Sequence, residues 1–144
     1  MSWTLSKFWL ERSLKNSQIL RIHGPISPQC SIWAKNDERT SIELENNLIE
    51  YMTEQCKFYS NYSNIKWLDV VNETINADGT WFGSQPGDDK WENPWVNIGY
   101  DNDKNKTPLY ISKAFSIAEK YIPNIKLQIN QHEYTQVSFK KKKN

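Results

Sequence analysis

The stretch Ile65-Lys66-Trp67-Leu68-Asp69-Val70-Val71-Asn72-Glu73-Thr74-Ile75 decides the fold. Its first half is close to a continuous apolar run, the pattern of a strand covered on both faces in a parallel sheet. It then ends abruptly in Asp69, Asn72 and Glu73. Open α/β sheets and α/β barrels carry their chemistry at the carboxyl ends of such strands, which makes Glu73 a candidate for that role. A strand that merely runs into a polar loop gives the same pattern.

Immediately before this strand stands the clearest helix of the chain, Thr40 to Tyr59. Thr40 and Glu43 have the spacing of a capping box, and Leu44, Leu48, Tyr51, Met52, Cys56 and Tyr59 fall on one stripe. Such a stripe is core, and no chemistry is assigned to it. Ser60 to Asn64 is a polar turn. Further upstream, Ile19 to Ile22 reads as a short strand stopped by Gly24-Pro25, with His23 at its end. Trp3 to Asn16 reads as an amphipathic helix with Leu5, Phe8, Trp9 and Arg12 on neighbouring turns.

Downstream, Asn76 to Lys106 has no helical period and holds Trp81, Phe82, Trp91 and Trp95. A loop this long in a compact domain is functional or disordered, and four large aromatics argue against disorder. The expectation is a loop over the active face with one or two aromatics open to a ligand. Asp101 to Asn105 imitates the start of a calcium loop but lacks its glycine and its final glutamate, so a solvated turn is expected. Thr107 then caps a helix with Pro108 at its first position, and Ile111, Ala114, Phe115, Ala118 and Tyr121 form its buried side. Ile125 to Asn130 is a strand. Helices lying between strands are crossovers, so the three strands are expected to be parallel.

Several of these segments together resemble glycoside hydrolase family 10, the retaining endo-xylanases. Trp67-Leu68-Asp69-Val70-Val71-Asn72-Glu73-Thr74-Ile75 resembles that family's acid/base signature. Asp78-Gly79-Thr80-Trp81, Trp95 to Tyr100, Tyr110 to Phe115 and Ile125 to Asn130 resemble, in the same order, the segments that follow it. Arg21-Ile22-His23 is similar to the family's Arg-Gly-His after its third strand, and Trp33 roughly fits a Pro-x-Trp. The resemblance runs from about Ile19 to Glu133. Two segments depart from it: Ile26 to Cys30 replaces a Trp-His pair, and Asn130-Gln131-His132-Glu133 keeps only the first residue of Asn-Asp-Tyr-Asn.

The resemblance implies an α/β fold, namely part of a (β/α)8 TIM barrel of about three parallel strands with crossover helices, over residues 1–139, followed by a basic tail at 140–144. It implies a glycoside hydrolase acting on xylan or a related plant or algal polysaccharide, with no cofactor and no metal. Glu73 then matches the acid/base, which must hold a proton for the leaving oxygen, and Asn72 matches the residue that binds the sugar 2-hydroxyl. His23, Asn130, Trp81 and Trp91 are the further substrate-binding candidates; a turn histidine bonded to a backbone carbonyl is the alternative for His23. Asp69 is expected to be structural, and Trp67 to be core.

A retaining mechanism also needs a nucleophilic carboxylate, which the family carries on its seventh strand. The expectation is therefore that these 144 residues alone do not turn over xylan. Glu133 is the weak local substitute. The alternative function is a non-catalytic carbohydrate-binding or structural half-barrel.

Composition bounds the rest. The 144 residues suffice for one core, whereas a complete barrel takes about 250. A net charge of +1 gives no general attraction to nucleic acid or acidic lipid, and the lysines at 140–143 read as a solvated terminus. Seven Trp and seven Tyr suit sugar faces as well as a core. No apolar run spans a membrane, and Met1-Ser2-Trp3-Thr4 does not read as a signal peptide, although the family resemblance implies a secreted or periplasmic protein. Cys30 and Cys56 could pair or remain free; the two histidines and these cysteines lack zinc-site spacing.

Overall fold

The computed structural model describes residues 4–28, 38–76, 79–83 and 93–131. Trp33, Cys30, Asp78, Trp91, His132, Glu133 and the tail at 140–144 lie outside them. Along the chain come α1 (Thr4–Lys15), β1 (Leu20–Ile22), α2 (Ser41–Tyr59), β2 (Ile65–Asn72), a 3-10 turn (Pro94–Ile98), α3 (Leu109–Tyr121) and β3 (Lys126–Asn130). The strands form a sheet of order β1-β2-β3, parallel throughout, with α2 in one crossover and α3 in the other. This is the expected part of a TIM barrel.

The start of α2 follows from its sequence. The Thr40 backbone N–H donates to Glu43 Oε2 at 2.8 Å, and the Glu43 N–H donates to Thr40 Oγ1 at 3.3 Å, a complete capping box. Two amides with no partner inside the helix are thereby satisfied. Thr40→Ala removes the hydroxyl half of this exchange, and we expect it to cost about 1 kcal/mol, read as a lower urea midpoint at unchanged slope. An unmoved midpoint would mean that the box adds nothing to the fold.

The stripe on α2 is buried as expected at Leu44, Leu48, Met52 and Cys56, with Tyr51 and Tyr59 at its margins. It packs, together with Tyr110, Ile111, Ala114 and Ala118 of α3, onto Leu68, Val70 and Val71 of the sheet. Burial pushes the Cys56 thiol up to about 11, so it stays protonated and unreactive at neutral pH.

Three local expectations change. On α1 the buried residues are Leu10 and Ser13, whereas Phe8 and Trp9 are more than half exposed. Among the described residues the helix meets the domain through Leu10 against Tyr62 and Ile65, and through Ser13, whose Oγ donates to Leu10 O and accepts from Asn64 Nδ2 at 2.9 Å. The Asn76–Lys106 segment is not all loop over the active face: Pro94–Ile98 winds into a 3-10 turn, Val96 and Ile98 enter the core, and Trp95 stacks on Tyr51. Proline at its first position and the Asn93 side chain on the Trp95 N–H start that turn. Thr107 does not cap α3, because its hydroxyl donates to Asp103 at 2.6 Å and leaves Pro108 at the cap position with no side-chain bond.

The sheet has two unlike faces. One is apolar and lies under α2 and α3. The other carries Arg21 of β1, Trp67 and Asp69 of β2, and Lys126 and Gln128 of β3, which are register partners or alternate along their strands. Trp67 is therefore not core; it sits half-buried on the polar face with Lys126 Nζ 6.0 Å from its ring centre. A bulge interrupts β2: Asp69 pairs with Gln128, yet Val71 pairs with Ile129 and Asn72 with Asn130. One supernumerary residue lets both valines face the core and returns Asn72 to the polar face beside Asp69.

Candidate active site

The polar face gathers most of the singled-out residues at the C-terminal ends of the strands. At its centre Asp69 is fully buried. Arg21 Nε donates to its Oδ1 at 2.9 Å and to Oδ2 at 3.1 Å, His23 Nδ1 lies 3.0 Å from Oδ2, and Gln128 Nε2 donates to Oδ1. Burial works to raise the Asp69 carboxyl, but the hydrogen bonds from Arg21, Gln128 and His23 and the Arg21 charge outweigh it, and its pKa falls below the ordinary value. Both oxygens are taken. Asp69 is thus a carboxylate that organises its neighbours and is not free to attack a substrate.

His23 bonds to this carboxylate and not to a backbone carbonyl. A carboxylate only accepts, so the ring proton sits on Nδ1 and the Asp69 bond leaves Nε2 for another partner. The His23 side chain is 66% exposed, so that nitrogen is on an open ring.

From Arg21 the network continues outward. Arg21 Nη2 donates to Asn130 Oδ1 at 2.9 Å, Asn130 Nδ2 donates to Asn72 Oδ1 at 2.7 Å, and Asn72 Nδ2 donates to Ser27 Oγ at 3.2 Å. Each amide is thereby fixed in one orientation. Asn72 Nδ2 keeps a second hydrogen for a ligand, since an amide nitrogen has two. The chain after β1 crosses very close to this residue: a Cβ on Gly24 would lie 2.9 Å from Asn72 Cβ, so only glycine allows the approach. Asn72 N–H in turn donates to Ile26 O at 2.8 Å.

Glu73 directly follows Asn72 and leaves the strand with φ of 52°, in the left-handed region. Its N–H donates to Asn130 O at 2.8 Å, so the end of β3 still holds it. Trp81 is brought elsewhere. It is half-buried against the core, and its indole N–H donates to Asn105 O at 2.8 Å, which uses the polar handle a sugar would need. Trp91 and Glu133 lie outside the described residues.

Sequence reasoning missed Arg21, Gln128 and Ser27. A signal existed: Arg21-x-His23, Trp67-x-Asp69 and Lys126-x-Gln128-x-Asn130 place polar or amphipathic residues at every second position, the period of one sheet face. Among the described residues, no cluster of three His, Cys, Asp or Glu side chains could hold a metal, and no helix is long and apolar enough to cross a membrane.

The family model of glycosyl hydrolase family 10 matches residues 1–144. No curated protein matches by sequence. Among solved structures, a mutant of xylanase10C from Cellvibrio japonicus in complex with xylopentaose is similar at a TM-score of 0.73 and 19% identity, over 92% of this chain and 25% of that one. Native xylanase 10B from Thermotoga maritima gives a TM-score of 0.71 and 26% identity, over 92% of this chain and 36% of that one. An intracellular xylanase from Thermoanaerobacterium saccharolyticum, as a mutant in complex with xylotriose, gives 0.71 and 18%, over 92% and 40%. The chain thus spans between a quarter and two fifths of the length of these structures.

Proposed function

From the premise that the chain belongs to glycosyl hydrolase family 10, we propose that it carries the acid/base half of a retaining, xylan-directed hydrolase site. The observation that carries this reading is the placement of Glu73 at the end of β2, next to an Asn72 whose amide is fixed by Asn130 and Ser27. In the first step Glu73 gives its proton to the glycosidic oxygen as that bond breaks, and a nucleophilic carboxylate about 5–5.5 Å away takes the anomeric carbon. In the second, Glu73 removes a proton from water, and the water displaces the carboxylate. Asp69, engaged by Arg21, His23 and Gln128, is not that nucleophile. Asn72 Nδ2 would bind the 2-hydroxyl, a contact that tightens as the ring flattens. His23 Nε2 would take a neighbouring hydroxyl.

Titration of the labelled protein with xylotriose, and with cellotriose as control, tests the reading, combined with an assay of reducing sugar released from xylan by a whole protein that also supplies the nucleophilic carboxylate. The expected result is that xylotriose shifts the resonances of His23, Asn72, Glu73 and Asn130 and that cellotriose shifts them less, together with release from xylan. Shifts without release would favour a carbohydrate-binding protein; shifts confined to other faces would dismiss this site.

A further inference from the structure

The left-handed backbone at Glu73 is costly, and something must hold it. An L-residue with a long side chain is disfavoured in that region, and such residues persist only where their surroundings over-determine them. Glu73 is neither a glycine nor an asparagine, and it sits where the chain must leave the sheet. The next two amides are turned away from any strand ladder. Thr74 is almost fully buried, so its N–H cannot turn to water and must find a partner inside the protein.

That partner is the side chain of Gln131, the residue after β3. Its Oε1 accepts from the Thr74 N–H at 2.8 Å and from the Ile75 N–H at 3.2 Å, and its Nε2 donates to Ile75 O at 2.9 Å. The preceding residue, Asn130, accepts the Glu73 N–H through its carbonyl. Two consecutive residues at the end of β3 therefore hold three consecutive residues at the end of β2. A primary amide suits the task because it offers an acceptor with two lone pairs and a donor on one planar group. The far side of the turn is closed separately, by Phe82 N–H on Thr74 O and by the Ile75–Trp81 bridge, so Gln131 is the tie on the side of the site.

We infer that Gln131 is the positioning residue for Glu73: by pinning Thr74 and Ile75 it keeps Glu73 in the left-handed conformation from which the carboxyl is presented. The inference rests on the acid/base reading of Glu73, but its geometric content does not pass through turnover. Gln131→Met keeps the length of the side chain and removes all three of these bonds; Gln131→Glu keeps the acceptor for the two amides. In the 144-residue protein, amide exchange and the backbone shifts and couplings of Glu73 are measured by NMR for both variants.

In Gln131→Met, exchange at Thr74 and Ile75 should accelerate on the order of tenfold or more while Leu68 and Val70 stay protected, and the left-handed signature at Glu73 should be lost. Gln131→Glu should restore the protection and the signature. Unchanged Thr74, Ile75 and Glu73 in the Met variant would overturn the inference. So would a uniform loss of protection through β2, which would make Gln131 a residue of general stability. Neither outcome touches the assignment of Glu73 as acid/base, which stands or falls on hydrolysis.

Discussion

Glu73→Gln is expected to lower xylan hydrolysis by the whole protein on the order of a hundredfold or more, with the fold intact. General acid catalysis by one positioned group contributes about 10²–10⁴-fold, and glutamine has the shape of glutamate without the proton to give. The loss should depend on the leaving group. A natural sugar alkoxide needs the proton and suffers the full effect, whereas an aryl xyloside with a strongly acidic phenol leaves unaided and suffers far less in its first step. Rates on both substrate types, beside a thermal melt, separate this from damage to the fold. Equal loss on both, or no loss on xylan, would remove Glu73 from the acid/base role.

Asp69 is expected to matter for stability, and in a pH-dependent way. Asp69→Ala removes a buried carboxylate that receives Arg21, His23 and Gln128 together. Hydrogen bonds to charged groups are worth about 1.5–3 kcal/mol; because Arg21 is half exposed and can turn to water, the expected loss is near the middle, about 2 kcal/mol. The direction of the pKa shift fixes the pH window. The folded carboxyl titrates below its unfolded value of about 3.9, so the stabilisation is fully present above that value and disappears as the pH falls through the lower, folded one. Urea midpoints taken from pH 6 down to pH 3 should fall more steeply for the native chain than for Asp69→Asn, which cannot titrate there. Parallel curves would mean that Asp69 is not the group that responds.

What could be read in the sequence was what depends on near neighbours. The capping box of α2 needs only Thr40 and Glu43, and it forms as read. The apolar stripe of α2 and the run of β2 each announce themselves within a few turns or residues, and the strand order follows from helices between strands. The two-residue period hinted at the face that Arg21, Asp69 and Gln128 share, but not at their pairing, because Arg21 and Gln128 stand 48 and 59 residues from Asp69 in the chain. The apolar reading of β2 was half right: its first half alternates once Trp67 and Asp69 are seen to share a face with Arg21. Trp9 and Trp95 show the limit of composition. Both are large aromatics, yet one lies exposed on α1 and the other stacks within the domain, and only the neighbours decide which.

The bulge in β2 makes Val70 and Val71 unequal in a way their identical chemistry conceals. A strand is a binary counter in which each residue flips the side, and the pair contributes one count where two are written. Replacing either valine by another aliphatic residue preserves the count. Deleting one would only straighten the strand, because one count remains and Asn72 keeps its face; inserting a third residue would change the parity of everything downstream, sending Asn72 under the helices and moving Glu73 off its station without altering a single functional side chain. Tolerance at this point is therefore tolerance of spelling and of one residue lost, but not of one gained, and two chains should be matched here by counting residues between Asp69 and Asn72 before comparing letters.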